Sequence, residues 1–340
     1  MKTEKRVIER LFEDFKGQHV LIIGDVMIDA YLWGKVDRIS PEAPVPVVQL
    51  NRRENLLGGA ANVALNIKAL GAVPILCSVI GNDSRGIEFS DLLEKDGIPA
   101  DGIIRSPSRI TTTKFRIIGN NVQMLRVDEE VDSDLSEPDS NLLVKRLEEL
   151  FDRYPVRVVV CQDYNKGVLT RDIIERLIEM AAKRDIPVVV DPKKKNFDAY
   201  RGVDLFKPNL KELREGLKAD VDVNDIASVS NASALLQQNQ DIKAVMVTLS
   251  EAGVFLRERF QGHDMELHLP AHLRKIADVS GAGDTVISVA SLCRALNAET
   301  RLTAALSNLA GGMVCEYVGV VPVDRERLKR EALALLTGEE

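Results

Sequence analysis

Near the C-terminal end of the sequence, Asp278-Val279-Ser280-Gly281-Ala282-Gly283-Asp284-Thr285 sets small side chains beside acids and leads into Val286 to Leu296, which has a helical pattern. Small residues at a helix start leave backbone N–H groups uncovered. Together with the helix dipole, these can hold the negative charge that develops on a transferring phosphoryl group. Asp284 would stand beside that group, placed to take the proton of an attacking hydroxyl. An Asp near a helix start also serves as a cap, so Gly281, Ala282, Gly283 and Asp284 taken alone leave both readings open.

Two companions bear on the choice. Gly58-Gly59-Ala60-Ala61-Asn62-Val63-Ala64 enters a helix ending near Leu70-Gly71. Paired glycines let a polar ligand approach the backbone, and Asn62 could reach sugar hydroxyls from the first turn; close helix packing is the alternative. Asn209-Leu210-Lys211-Glu212 follows Lys207-Pro208, where a strand ending at Asp204 to Phe206 passes into a helix. Its Asn and Glu share a face and could hold Mg²⁺ through waters, although the same spacing is a capping box.

The elements that must position these residues alternate. Apolar runs at His19 to Asp25, Pro74 to Ile80, Val156 to Cys161, Ile186 to Asp191 and Ala244 to Leu249 read as buried strands, with helical patterns such as Arg171 to Lys183 between them. The expected fold class is α/β, a mostly parallel sheet covered by helices, with ligands gathered at the strands' C-terminal edge. Pro44 to Leu50 and Thr111 to Val127 break the rhythm with alternating β-branched and polar residues, and Gly119-Asn120-Asn121 marks a hairpin turn. These segments predict a small separate sheet, a lid able to exclude water from a reacting phosphate, with an outer face suited to dimer contacts. Ser133 to Ser140 reads as an acidic surface loop opening the next helix.

Composition narrows the partners. The 340 residues carry a formal net charge of -7, with 45% hydrophobic and 29% charged residues. No broad basic field is available for nucleic acid or anionic lipid. Cys77, Cys161, Cys293 and Cys315 are dispersed, as expected of core thiols in a reducing compartment rather than a disulfide or zinc framework. Met1 to Lys16 places Val7, Leu11, Phe12 and Phe15 at helical spacing among charges, unlike a secretory signal, and no run reaches membrane-spanning length. The expected location is the cytoplasm.

Gly-Gly-x-x-Asn early, Asn-x-x-Glu in the middle and Gly-Ala-Gly-Asp late resemble, in that order, the ribokinase-type carbohydrate kinase family, from about His19 to about Val321. The resemblance implies a ribokinase-like three-layer α/β/α core over 1–340, a β lid from about 31–55 and 108–130, and ATP with Mg²⁺, with a monovalent cation as an optional further partner. It assigns Asp284 as base and Gly281, Ala282 and Gly283 as anion hole. Asn209, Glu212 and Asp191 fall to the metal, and Lys207, Thr248, Gly253 and Asn308, with Asn209 and Glu212, to the nucleotide. The family often has a shorter spacing than Thr248-Leu249-Ser250-Glu251-Ala252-Gly253.

A closer resemblance lies in Gly24-Asp25-Val26-Met27-Ile28-Asp29, in Arg38-Ile39-Ser40-Pro41-Glu42-Ala43-Pro44-Val45-Pro46-Val47, in Gln162-Asp163-Tyr164-Asn165-Lys166-Gly167 and in Asp191-Pro192-Lys193. These are similar to bacterial D-glycero-β-D-manno-heptose 7-phosphate kinases, except that Gln162 and Asn165 replace the more usual Ser and Gly. The resemblance implies phosphorylation of the anomeric hydroxyl to the 1,7-bisphosphate, for ADP-heptose and lipopolysaccharide core synthesis. Asp25, Asp29 and Asn62, with Gly58, Gly59 and Asp163, are then expected around the sugar. Lys114, Arg116, Arg126 with Asp128, Lys166 and Lys193 are candidates near its existing phosphate. Some relatives carry a fused adenylyltransferase domain with a His-x-x-His-type motif; no such motif occurs here, and that activity is expected on another protein. Alternatives are a kinase for fructose 1-phosphate or tagatose 6-phosphate, or a nucleotide-binding regulator that has lost the reaction. A nicotinamide enzyme would need a Gly-x-Gly-x-x-Gly after the first strand, which Gly24-Asp25-Val26 does not supply.

Overall fold

The computed structural model describes residues 3–260 and 262–337; Met1, Lys2 and Glu340, at the ends of the range read above, lie outside the described residues. The first half of the chain runs α1 (Lys5–Asp14), β1 (His19–Gly24), β2 (Val26–Ile39), β3 (Pro46–Gly59), α2 (Ala60–Ala69), β4 (Val73–Gly81), α3 (Ser84–Lys95), β5 (Ile103–Ser106), β6 (Thr113–Gly119), β7 (Val122–Glu129) and α4 (Glu137–Arg153). The second half runs β8 (Val156–Gln162), α5 (Arg171–Ala182), β9 (Val188–Asp191), β10 (Leu205–Phe206), α6 (Leu210–Leu217), α7 (Ile226–Gln240), β11 (Ala244–Thr248), β12 (Val254–Phe260), β13 (His263–Leu269), α8 (Ala282–Ala295), α9 (Thr300–Val314) and α10 (Arg325–Thr337).

Successive side chains of a strand point to opposite faces, and β1 shows the consequence. Val20 and Ile22 join one apolar cluster with α1, α2, α8, α9 and α10, while Leu21 and Ile23 join another with α4, α5 and α7. The sheet is therefore covered on both sides, which is why its strands read as continuous apolar runs. Nine strands lie in the order β13-β12-β11-β10-β9-β8-β1-β4-β5, all parallel except the antiparallel β12 and β13. The strand order turns back at β1, between β8 and β4, so the C-terminal ends of β1, β8 and β9 open onto a crevice. All four cysteines are buried and free. In α1 the buried positions are Ile8, Leu11 and Phe12, with Phe15 just beyond, so the apolar stripe runs through Ile8, and Val7 is exposed.

A second sheet has the order β3-β2-β6-β7. Asn120 and Asn121 turn β6 into β7 with φ of 52° and 64°, the paired left-handed conformations that suit a tight hairpin. Register sorts the faces. Asp29 opposes Lys114, Tyr31 opposes Arg116, and these strands continue to Asp128 and Arg126, giving one charged face. The opposite face carries Leu32, Phe115, Ile117, Leu125 and Val127. Strands β2 and β3 start and end within the core, since Val26 pairs with Gly59, so this sheet grows directly out of the crevice. No helix among the described residues is long and apolar enough to cross a membrane.

Candidate active site

Asp284 lies in the first turn of α8, whose N-cap is Gly281 in the left-handed conformation at φ 78°. Its side chain does not cap the helix. Instead Oδ2 accepts from Asn62 Nδ2 at 2.7 Å, and Oδ1 accepts from Tyr164 Oη at 2.8 Å and Gln162 Nε2 at 3.1 Å. Four elements thus converge on one buried carboxylate: α2 supplies Asn62, β8 Gln162, the segment after β8 Tyr164, and α8 the acid itself. Burial pushes the Asp284 carboxyl up to about 6; Asn62 and Tyr164 pull it down, the Asp191 charge raises it, and Lys207 opposes that rise. Asn62, expected against a sugar, is fully buried and its amide is engaged by the acid.

The wall beside Asp284 is ionic. Gln162 Nε2 also reaches Asp191 Oδ2 at 3.2 Å, and Lys207 Nζ lies 3.0 Å from the same oxygen. Gly283 faces this buried pair: a Cβ there would sit 3.6 Å from Lys207 Nζ and 3.7 Å from Asp191 Oδ2, so the start of α8 packs directly against the two charges. Of the first-turn amides of α8, Ala282 N donates to Val279 O at 3.3 Å, and those of Gly283 and Asp284 have no acceptor within the helix. Asn209 and Glu212 form the capping box of α6: Glu212 N donates to Asn209 Oδ1 and Asn209 N to Glu212 Oε2, each at 2.8 Å. The other Glu212 oxygen accepts from Lys193 Nζ, which lies 5.4 Å from the Tyr164 ring centroid. Burial works against the Lys193 charge, but Asp191 and Glu212 outweigh it and hold the ammonium above its ordinary value. The structure therefore places Lys193 with the Asp191 and Glu212 carboxylates, not with the other cations expected at the sugar's phosphate.

Thr248 bridges to Asn209 across the C-terminal edges of the sheet, and the two border a cavity of about 720 Å³ with Leu210, Arg214, Asn224 and Ser250. Gly253, at φ 89°, closes the turn after Thr248, where a side chain would collide with Leu269 O. Asn308 is not on this wall; its Nδ2 donates to Pro270 O at 2.9 Å.

On the other side of Asp284 the expected sugar residues divide. Asp25 accepts three backbone amides, from Tyr164 at 2.8 Å, Lys166 at 3.0 Å and Val168 at 3.1 Å. Asp163 accepts from Asn165 N at 2.7 Å and Tyr200 Oη at 2.9 Å, and burial together with the Asp25 charge pushes it up to about 6. Both were expected around the sugar; Asp25 instead holds the loop after β8 through three of its backbone amides, and Asp163 holds it through Asn165 N while its other oxygen is taken by the Tyr200 and Asn196 side chains. Asp29 stands on the charged face of the second sheet. It pairs with Arg116, and a Cβ on Gly58 would collide with its carboxylate. Gly59, at φ 61°, lets the chain turn past Asp25 O into α2. Lys114 meets Asp128 at 3.3 Å and Glu130 at 3.0 Å, Lys166 meets Glu130 at 2.6 Å, and Arg126 chelates Asp128 at 2.6 and 2.8 Å, holding that carboxyl well below its usual range. The charged face thus sets four cations against Asp29, Asp128 and Glu130. The motif reading passes over Gln162, Tyr164 and Glu130 as site residues. Tyr164 and Gln162 stand in the quoted segment after β8, but nothing in their spacing shows that they reach Asp284.

Residues 18–326 match the model of the pfkB family of carbohydrate kinases. The chain is 38% identical over 320 residues to the bifunctional protein HldE of Geobacter sulfurreducens, covering 94% of this chain and 64% of that one. It is 41% identical over 306 residues to the HldE of Caulobacter vibrioides, covering 90% and 61%. The chain spans somewhat under two thirds of the length of these curated relatives. Among solved structures it is similar to phosphofructokinase-2 from Escherichia coli in complex with potassium, with TM-score 0.77, 18% identity and 95% and 99% of the two chains covered. It is also similar to Arabidopsis thaliana ribokinase complexed with ribose and ATP, with TM-score 0.69, 16% identity and 92% and 99% covered. With an acid-bearing helix start, an ionic wall and a cavity along one sheet edge, and matched by the family model over nearly its whole length, the chain belongs to the pfkB family of carbohydrate kinases.

Proposed function

We propose that the chain transfers the γ-phosphoryl group of ATP to the anomeric hydroxyl of D-glycero-β-D-manno-heptose 7-phosphate, giving the 1,7-bisphosphate in the cytoplasm for ADP-heptose and lipopolysaccharide core synthesis. The observation that carries this reading is the pairing of a buried acid at a helix start with a cation-rich sheet face across the crevice. Such a face suits an acceptor that already bears a phosphate. The choice of heptose rests on the motif resemblance around Asp25, Ser40, Tyr164 and Asp191.

In this reading Asp284 takes the proton of the anomeric hydroxyl as its oxygen bonds to the γ-phosphorus; the bond to the bridging oxygen breaks and ADP leaves with that electron pair. Lys207 and the first-turn amides of α8 hold the charge on the transferring group. Thr248 and Asn209 border the space for the nucleotide, with Gly253 shaping the turn and Asn308 fixing the loop at Pro270. Lys114, Arg116, Arg126 and Lys166 bind the acceptor's phosphate, and Asp29 its hydroxyls. The charged sheet then acts as a lid, and its apolar face meets a second copy of the chain.

Mg²⁺ belongs to the same proposal. Asp191 Oδ1 is buried with no hydrogen-bond partner, an oxygen that a cation or its hydration shell would satisfy. Among the described residues no three His, Cys, Asp or Glu side chains converge into a cage, which fits an ion held by few carboxylates and by the nucleotide's phosphates. Asp191 and Glu212 would hold it, and it would neutralise phosphate charge.

A panel of sugar phosphates tests the substrate. Heptose 7-phosphate should exceed fructose 1-phosphate and tagatose 6-phosphate in kcat/KM on the order of 100-fold or more, and comparable turnover of a hexose phosphate would sink the assignment. Asp284→Asn tests the base: kcat should fall about 10²- to 10⁴-fold with ATP affinity retained.

A further inference from the structure

Asp284 is unusual in how fully its two oxygens differ. Oδ1 accepts two hydrogen bonds, from Tyr164 Oη and Gln162 Nε2, which fills its lone pairs; Oδ2 accepts one, from Asn62 Nδ2. We infer that Gln162 and Tyr164 are positioning residues that occupy Oδ1 and so leave Oδ2 as the oxygen that receives the acceptor's proton. The inference rests on Asp284 being the base.

The geometry around both residues supports a dedicated arrangement. The Gln162 amide nitrogen lies between Asp284 Oδ1 and Asp191 Oδ2, at 3.1 and 3.2 Å, and so ties the base to the opposite wall of the crevice. Its orientation is forced, since the amide oxygen in that place would face two carboxylates. The consequence is that Gln162 Oε1 is buried without a partner, an arrangement that packing alone would not favour. A Tyr164 hydroxyl beside a carboxylate can only donate, and burial with the charges of Asp284 and Asp191 keeps its proton in place. Its backbone is fixed as well, because Tyr164 N donates to Asp25 Oδ2 at 2.8 Å. The carboxylate of Asp25 thus acts on the base through the loop it holds, which gives a use to an acid that does not face the sugar.

The test is the titration of Asp284 in the full chain labelled with [¹³Cγ]aspartate, its resonance assigned by its loss in Asp284→Asn. In Tyr164→Phe and Gln162→Met each lost donor had favoured the ionised form, so the midpoint should rise by about one unit. Gln162→Glu, which sets a third acid between Asp191 and Asp284, should raise it further. The acid limb of kcat should move with the midpoint, kcat on the plateau should fall on the order of tenfold, and KM for ATP should stay within about twofold. A role confined to packing would lower the melting temperature and leave the midpoint where it was; unchanged midpoints in well-folded Tyr164→Phe and Gln162→Met would overturn the inference. Full activity in Asp284→Asn would remove the base reading instead, whatever the midpoints do.

Discussion

At the scale of single residues, what decides a role is which partner reaches the side chain first. Asp284 could be read from its neighbours in sequence as either a cap or a base, and its side chain is taken up by donors more than a hundred positions away, Asn62, Gln162 and Tyr164, in place of its own helix start. Asp25 and Asp163 show the opposite case. Both stand at strand ends where ligands gather, yet the loop between Asp163 and Val168 turns its amides and neighbours toward them. No local pattern separates an acid that waits for a hydroxyl from one that holds a loop. The raised carboxyl of Asp284 has a kinetic consequence. Its folded value, about 6, lies above the ordinary 3.8, so at pH 5 the native protein retains a proton that a free Asp would have lost. In the proposed mechanism that protonated acid cannot serve as base, and kcat should fall about tenfold per pH unit below about pH 6, a pH profile of kcat with saturating substrates being the check. The same sign applies to stability: ionising this buried acid opposes folding, so its contribution weakens as pH rises from about 4 to about 6 and is constant above.

At the scale of elements, the strands of the core sheet were legible because burial on both faces leaves only apolar residues in them. The hairpin at Asn120-Asn121 was legible because few residues other than Gly and Asn adopt two successive positive φ angles. The start of β2 was not. Val26 to Ala30 are buried, so the alternation expected of a half-exposed strand is missing, and only Asp25 separates β1 of the core sheet from β2 of the second. The turn after β11 is a case where spacing hides a fixed geometry. A six-residue stretch from Thr248 to Gly253 makes a short 3₁₀ turn, and Leu249 N then donates to Gly253 O at 2.8 Å. Gly253 at φ 89° has Leu269 O and Ala271 N against the place of a Cβ, so no rearrangement of one side chain relieves a substitution. Gly253→Ala should therefore cost about 1–3 kcal/mol in stability and raise KM for ATP on the order of tenfold. KM for the acceptor, bound on the far side of Asp284, should change little. Thermal melting with kinetics in both substrates measures this, and an acceptor KM that rises as much as that for ATP would show that the turn does not serve the nucleotide.

At the scale of the whole molecule, the second sheet has a face that the crevice does not use. Strand alternation sends Lys114, Arg116, Arg126 and Asp128 to one side and Phe115, Ile117, Leu125 and Val127 to the other, and no residue of β7 is buried within the single chain. Leu125 is 55% and Val127 44% exposed, while Ile39 and Val45, at the far ends of β2 and the loop after it, are 61% and 51% exposed. Apolar side chains concentrated on an unpaired edge strand are a liability for a lone chain, because the edge can pair with any other strand. A second copy of the same sheet would cover them, and the two strands that bear Lys114, Arg116 and Arg126 would then be braced from behind. The sequence hinted at this face through its alternation but could not say what covers it, since self-complementarity is a property of a folded surface. Leu125→Glu with Val127→Glu should convert a dimer into a monomer in light scattering at micromolar concentration, with melting of the core little changed. KM for the acceptor should rise more than KM for ATP, because Lys114 and Arg126 share the loosened strands. A wild-type chain that is monomeric under those conditions, or a double variant that stays dimeric, would rule out this interface.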